Sequence, residues 1–351
     1  MGGDGGVCRR FPGIETLELN GGLLRKIPDI DYRIHPLYGK VLGQPTLLNR
    51  YRAIRRFFPR FLKVILKKFL LHFKYYSLSI DYDLDNEMEF DLKHLVQNGA
   101  MATRLTSEEK ALIQNLLNNH VDILREKRSK VPANKRSFSD ISLWIYEHQA
   151  PQLYSQILQL LENHNLVNVI STYVGTSIKL SIIRLVTYDE MDEFMYTPFS
   201  RNDAPKTVDM HIDPPLQNTH QVCIKGILYL NEVTVDNGPF SYILGSNNYK
   251  IGFLERVIRE SNALCGLCDY KQYNRELFFA LPKSFQKKAS IGTDLLDSSP
   301  ESSILINLEH QFTSKDGDLI LFDFQGIHRG GLRCKGERQS IELIFSPKTT
   351  K

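Results

Sequence analysis

The feature that most restricts what this chain can fold into is a change of texture near residue 166. Before it, apolar residues recur at helical spacing. Thr106-Ser-Glu-Glu109 has the form of a capping box and is followed by Leu112, Ile113, Leu116, Leu117, Val121 and Leu124. This predicts a helix ending by about Lys127, where the charged, proline-containing stretch EKRSKVPANKRS takes over. A second predicted helix runs from about Pro151 to His164, with Leu153, Ile157, Leu160 and Leu161 on its apolar side. After the change, LVNVISTYVGTSIKLSIIRLVTY is rich in Val, Ile, Thr and Tyr and predicts two strands hinged at Gly175. QVCIKGILYLNEV (221–233), SILINLEHQF (303–312), DLILFDF (318–324) and QSIELIFSP (339–347) predict further strands. Asp236-Asn-Gly-Pro239 and Lys315-Asp-Gly317 between them carry turn chemistry. Helices first and many short strands afterwards argue for an α+β chain whose second part is an antiparallel sandwich or barrel. The expected organisation is a flexible leader over 1–30, a mostly helical region over 31–165, and a strand-rich core over 166–351. That core is interrupted at about 250–300 by a helical insertion containing IGFLERVIRESNAL.

With 351 residues, 42% of them hydrophobic, the chain can bury a full core. Five cysteines, an odd number in a chain too long to need stapling, favour a reducing compartment, and the expected location is cytoplasmic. Cys265-Gly-Leu-Cys268 has metal spacing, but no second C-x-x-C accompanies it, so the pair reads as incidental. MGGDGGVCRRFPG lacks the apolar core of a signal peptide, and no run of 18 uncharged apolar residues occurs.

The net charge of +4 is concentrated: from Tyr32 to Ile80 there are eleven basic and no acidic residues. Within that segment PRFLKVILKKFLLHFKYY predicts a basic amphipathic helix, with Pro59 in its first turn. Arg60, Lys63, Lys67 and Lys74 share one face, and Phe58, Leu62, Leu66, Leu70 and Phe73 another. Two readings stand side by side. Residues 50–74 attach the protein peripherally to an anionic membrane surface or to an acidic partner, or the helix packs on the core and presents a solvated lysine face. Large apolar residues interleave the charges, which disfavours a nucleic-acid groove. The sequence does not fix the oligomeric state.

His-x-Asp occurs twice. His120 and Asp122 fall inside the capped helix, where residues two apart point about 200° away from each other. His211 and Asp213 lie in extended sequence, where i and i+2 face the same side, so only this copy converges. A third ligand is supplied by DGDLILFDFQGIHRGG, in which a strand is followed by a short link and His328. Two histidines and a carboxylate form the facial triad of a non-haem Fe(II) oxygenase, which leaves three positions open. Ten residues after His328, Arg338-Gln-Ser340 places a guanidinium fork and a hydroxyl on one strand face. These suit the distal carboxylate of 2-oxoglutarate, whose 2-oxo acid end chelates iron. Arg329 and Arg333 are rivals for that role. Tyr229, Lys225 and Arg184 are candidates for the mouth of the site, His220 and His310 read as structural, and Asn237, Gly238 and Gly245 as turn residues.

Taken together, His211-Ile-Asp213, NGPFSYILGSNN (237–248), DGDLILFDFQGIHRGG and Arg338 with Ser340 resemble the phytanoyl-CoA dioxygenase-like branch of the Fe(II)/2-oxoglutarate oxygenases. The resemblance runs from about residue 166 onward. The second island departs from the family's N-G-x-L and P-G-S-H pattern, with Leu244 at the proline and Asn247 at the histidine. The resemblance implies a double-stranded β-helix, a jelly-roll or cupin-like core, with the ligands at its mouth. It also implies Fe(II), 2-oxoglutarate and O₂ as cofactor and co-substrates. Relatives that halogenate replace the carboxylate ligand; Asp213 is present, so hydroxylation or a related oxidation of a small-molecule, carrier-bound or lipid-like substrate is expected. The alternative is a non-catalytic metal- or ligand-binding protein that keeps the β-fold.

Overall fold

In the computed structural model of the chain, the described residues are 46–76, 86–133, 136, 139–188, 213, 224–247, 254, 257–258, 261, 277, 280–282, 285, 309–315, 317–330 and 336–348. Side chains of the first helix are described to residue 66. The elements are α1 (Leu47–Tyr76), α2 (Asn86–Asn98), β1 (Ala100–Arg104), α3 (Ser107–Ser129), β2 (Ser142–Ile145), α4 (Pro151–Asn163), α5 (Leu166–Val174) and β3 (Ile178–Tyr188). They continue with β4 (Ile224–Tyr229), β5 (Phe240–Ile243), β6 (Glu309–Gln311), β7 (Asp318–Asp323), β8 (His328–Gly330) and β9 (Arg338–Pro347).

Two antiparallel sheets form the core. The larger has the order β1-β7-β4-β9-β3-β2 and the smaller β6-β5-β8. Strand alternation divides each strand of the larger sheet between two environments. On β9, Ile341, Leu343 and Phe345 join Leu319 and Leu321 of β7 and Leu180, Ile183 and Leu185 of β3 in a core built against α2 to α5. The opposite face carries Ile227 and Tyr229 of β4 and Ile320 and Phe322 of β7, which pack against Phe240 and Tyr242 of the smaller sheet. Helices thus cover one face of the large sheet and the small sheet covers the other, the α+β jelly-roll arrangement expected from the strand pattern.

The Thr106 capping box forms as read: the Thr106 side chain accepts from Glu109 N and Glu109 accepts from Thr106 N. α3 runs to Ser129, two residues past the expected end. Residues 254, 257, 258 and 261 are helical, within the insertion expected there.

Three local expectations are corrected. Residues 166–174 form helix α5, not a strand. Leu166, Val169, Ile170 and Tyr173 follow the i, i+3, i+4, i+7 pattern and are all buried, and Gly175 closes the helix at φ 72°. Burial on a helical face thereby overrides the strand preference of Val, Ile and Thr. The stretch read as mostly helical also supplies both edge strands of the large sheet: β1 pairs with β7 and β2 with β3. Pro59 lies inside α1, about three turns beyond its start. The buried face of that helix is Ala53, Phe57, Phe61 and Val64; Phe58, Leu62 and Leu66 are exposed.

Candidate active site

His328 opens β8 after a tight turn from β7. Asp323, fully buried at the end of β7, accepts from Gln325 N at 2.9 Å and from the Tyr173 hydroxyl at 2.8 Å, and so anchors the turn at both ends. Ser246 Oγ accepts from Ile327 N at 2.8 Å. Gly326 is required by close approach: a Cβ there would meet Tyr242 Oη at 1.7 Å. The imidazole is 5% exposed in a bed of Phe240, Tyr242 and Phe322, whose ring centres lie 5.8, 6.4 and 5.1 Å away. Its Nδ1 lies 2.9 Å from Gly326 O, which can only accept. Nδ1 therefore donates to that carbonyl, and Nε2 is the ring nitrogen left to meet other groups.

Asp213 approaches that nitrogen. Asp213 N donates to Phe324 O at 3.0 Å, which moors the segment to the end of β7, and its Oδ2 lies 3.6 Å from His328 Nε2. Two donors each about 2.1 Å from a shared ion lie at most about 4.2 Å apart, and this pair satisfies that bound. Lys225 of β4 contacts the same Oδ2 through its ammonium, which also sits 5.2 Å from the Phe324 ring centre. His211 lies outside the described residues, as do His220, Arg333, Cys265 and Cys268. Among the described residues no group of three His, Cys, Asp or Glu side chains is set to hold a metal.

Arg338 and Ser340 occupy the inner face of β9, 2% and 3% exposed. The register sets Arg338 beside Tyr188 of β3, and Ser340 between Val186 of β3 and Tyr229 of β4. The guanidinium carbon lies 3.8 Å from the centre of the Tyr188 ring. Burial holds the Tyr188 hydroxyl above its ordinary value despite the nearby Arg338 charge. Arg338 Nε and Nη1 are buried and meet no hydrogen-bond partner among the described residues. A guanidinium in that condition carries a desolvation cost that an anion placed against it would offset.

One strand position further along, Glu342 pairs with Arg184 of β3, and Arg184 lies 5.1 Å from the centre of the Trp144 ring. Burial opposes the Arg184 charge, but Glu342, then Tyr188 and Asp213, hold its ionisation above the ordinary value. Tyr229, Lys225 and Arg184 thus all belong to the inner wall. Tyr188, Glu342 and Asp323 escaped the sequence reading. The signal for Asp323 was an Asp at a strand end before Phe-Gln-Gly.

The rival Arg329 is committed elsewhere. It is 1% exposed and makes a bidentate contact with Glu309 of β6, Nε to Oε1 at 2.8 Å and Nη2 to Oε2 at 2.6 Å. Burial pushes the Glu309 carboxyl up, against the hydroxyl that Ser241 donates to it. This pair ties β6 to β8, the strand that begins with His328. His310 is buried and packs edge-on against Phe312 at 4.5 Å, a structural place as expected. Asn237 and Gly238 lie in a single 3-10 turn capped by Thr234, and Gly238 and Gly245 take φ 69° and 79°. Asn247 donates to Leu95 O, Val96 O and the Tyr173 hydroxyl, fastening α2 to the loop after β5.

The family model for phytanoyl-CoA dioxygenase matches residues 111–338, beginning well before the point where the sequence islands do. No curated protein matches the chain. Solved structures similar to it include EctD from S. alaskensis with 2-oxoglutarate and 5-hydroxyectoine, at 15% identity, 77% of this chain, 80% of that chain and a TM-score of 0.44. AviO1 from Streptomyces viridochromogenes Tue57 matches at 12%, 77%, 98% and 0.40. The epimerase SnoN in complex with Fe3+, alpha ketoglutarate and nogalamycin RO matches at 11%, 75%, 84% and 0.42. The family match spans well over half of the chain, and the chain belongs to the phytanoyl-CoA dioxygenase family, whose members use Fe(II), 2-oxoglutarate and O₂.

Proposed function

We propose that this protein is an Fe(II)/2-oxoglutarate-dependent dioxygenase that oxidises a small-molecule, carrier-bound or lipid-like substrate. The observation that carries the reading is the buried Arg338, with two unpartnered nitrogens on the same sheet face as Ser340 and Lys225. The 3.6 Å approach of Asp213 Oδ2 to His328 Nε2 supports it.

The residues present fit the iron and its co-substrate. Asp213 and His328 would hold the metal together with His211, and Arg338 and Ser340 would take the distal carboxylate of 2-oxoglutarate. Iron, O₂ and 2-oxoglutarate supply an oxidant for a substrate C–H bond, with succinate and CO₂ as co-products. The chain's own contribution is placement. Gly326 O fixes the His328 tautomer and ring direction. The Phe240, Tyr242 and Phe322 bed keeps water from that side of the imidazole. Tyr188 holds the Arg338 fork in its plane.

One observation favours the second reading, a non-catalytic binding protein. The Lys225 ammonium already neutralises Asp213 and could stand where a metal's charge is otherwise needed. The two readings separate in one experiment. Fe(II) and 2-oxoglutarate are added without oxygen and the visible charge-transfer band is recorded; O₂ is then admitted and succinate measured. The oxygenase gives both a band and substrate-uncoupled succinate, whereas the binding protein gives neither.

A further inference from the structure

α1 has three faces, not two. At about 100° per residue, the buried Ala53, Phe57, Phe61 and Val64 fall in one sector and pack on Val257, Ile258, Leu277 and Phe285. Tyr51, Ile54, Phe58, Leu62 and Leu66 fall in a second sector about 120° wide, and they are 60, 47, 45, 53 and 60% exposed. Arg52, Arg56 and Lys63 make a third sector beyond it, and Arg55 falls within the second, between Leu62 and Leu66. Among the described residues the helix packs through the first sector, and its second apolar stripe stays exposed.

We propose that this stripe is a docking surface for an anionic lipid bilayer, with α1 lying in the plane of the interface. An apolar sector of this width, interrupted by Arg55, on a helix already anchored elsewhere is more than scattered surface residues supply. Charge complementarity chooses the occupant: residues 32–80 contain eleven Lys and Arg and no acid, so the flank of the stripe is uniformly cationic. Tyr51 and Phe58 sit within the stripe, as aromatic residues do at headgroup depth. A nucleic acid would satisfy the cations but leave the apolar sector against water. Among the described residues no helix is long and apolar enough to cross a membrane, so the attachment is peripheral. The inference is independent of the reading of the iron site.

The test is flotation of the full-length chain with vesicles of phosphatidylcholine alone and of phosphatidylcholine with phosphatidylserine, at low and high salt. Binding is expected only to the anionic vesicles and weakens as salt rises. Replacing Arg52, Arg55 and Lys63 with Gln should reduce it by about fivefold per charge. The triple variant Phe58→Ser, Leu62→Ser, Leu66→Ser keeps every charge and should reduce it at least about tenfold. All these positions are exposed, and circular dichroism and thermal melting verify that both variants fold. Failure to float with anionic vesicles, equal binding to neutral ones, or indifference to the apolar variant overturns the proposal. Binding to poly-glutamate or duplex DNA with vesicles unbound also overturns it, and assigns the surface to an acidic partner.

Discussion

Arg338→Met separates a guanidinium kept for a ligand from one kept for the fold. Methionine retains the length and apolar stem of arginine and removes the charge. Without co-substrate, Arg338 is 2% exposed and two of its nitrogens are orphaned. Exchanging a buried ion for an apolar side chain is worth about 1–4 kcal/mol in favourable cases. The lost contact with the Tyr188 ring costs about 1–2 kcal/mol, so the net change runs from about 1 kcal/mol against the variant to about 3 kcal/mol in its favour. At about 2–4 °C per kcal/mol, the ligand-free melting temperature should fall by no more than about 4 °C, or rise. The bound state behaves oppositely. Removing one partner of a buried carboxylate pair costs about 3–5 kcal/mol, which is about two to three and a half powers of ten in affinity. The assay is titration of 2-oxoglutarate into Mn(II)-loaded protein by calorimetry, with thermal melts in its presence and absence. A ligand-free variant that melts well below the wild type, or one whose 2-oxoglutarate affinity changes less than about threefold, refutes the assignment.

Lys225→Met removes the cation that competes for Asp213 Oδ2, so divalent-metal affinity measured by calorimetry should rise at least about tenfold. An unchanged or weaker affinity sinks that account. Gly326→Ala forces a methyl against Tyr242 Oη and displaces the turn that carries His328, so metal affinity should fall with circular dichroism preserved; wild-type affinity would show that the turn has room. His310 has its pKa lowered by burial from 6.5 to about 4. The unfolded chain therefore takes up this proton first, and the stabilisation that is full above about pH 6.5 is lost as pH falls through 4. Relative to His310→Gln, wild type should lose up to about 3 kcal/mol across that window in urea melts, and parallel curves for the two proteins would contradict it.

The strands that build the site were legible because each carries a short run of Val, Ile, Leu and Phe between turn residues. β7 and β9 fall within one residue of where the pattern put them. The Arg338–Ser340 pair was legible for the same reason: two-residue spacing on a strand fixes one face, and the fold buries that face. α5 was not, since its composition is that of a strand and only packing against the sheet reveals its helical period. β1 and β2 were not, because AMATR and SLWI are too short to carry a pattern and become strands only by pairing with β7 and β3. The committed role of Arg329 was hidden as well: its partner Glu309 is twenty residues away, and only the β5 bridge between β6 and β8 brings them together. Periodicity picked out one apolar stripe of α1, Phe58, Leu62 and Leu66, and left its burial open; it missed the buried stripe of Ala53, Phe57, Phe61 and Val64, because local sequence does not say which face the insertion covers.

The central claim is that His211, Asp213 and His328 converge on one ion. Metal stoichiometry under anaerobic Fe(II) titration, compared across wild type, His211→Ala, Asp213→Ala, His328→Ala and Arg338→Met, tests it most directly. The account predicts one iron per chain in wild type and Arg338→Met, and none in the three ligand variants. One iron per chain retained in all three ligand variants would contradict it.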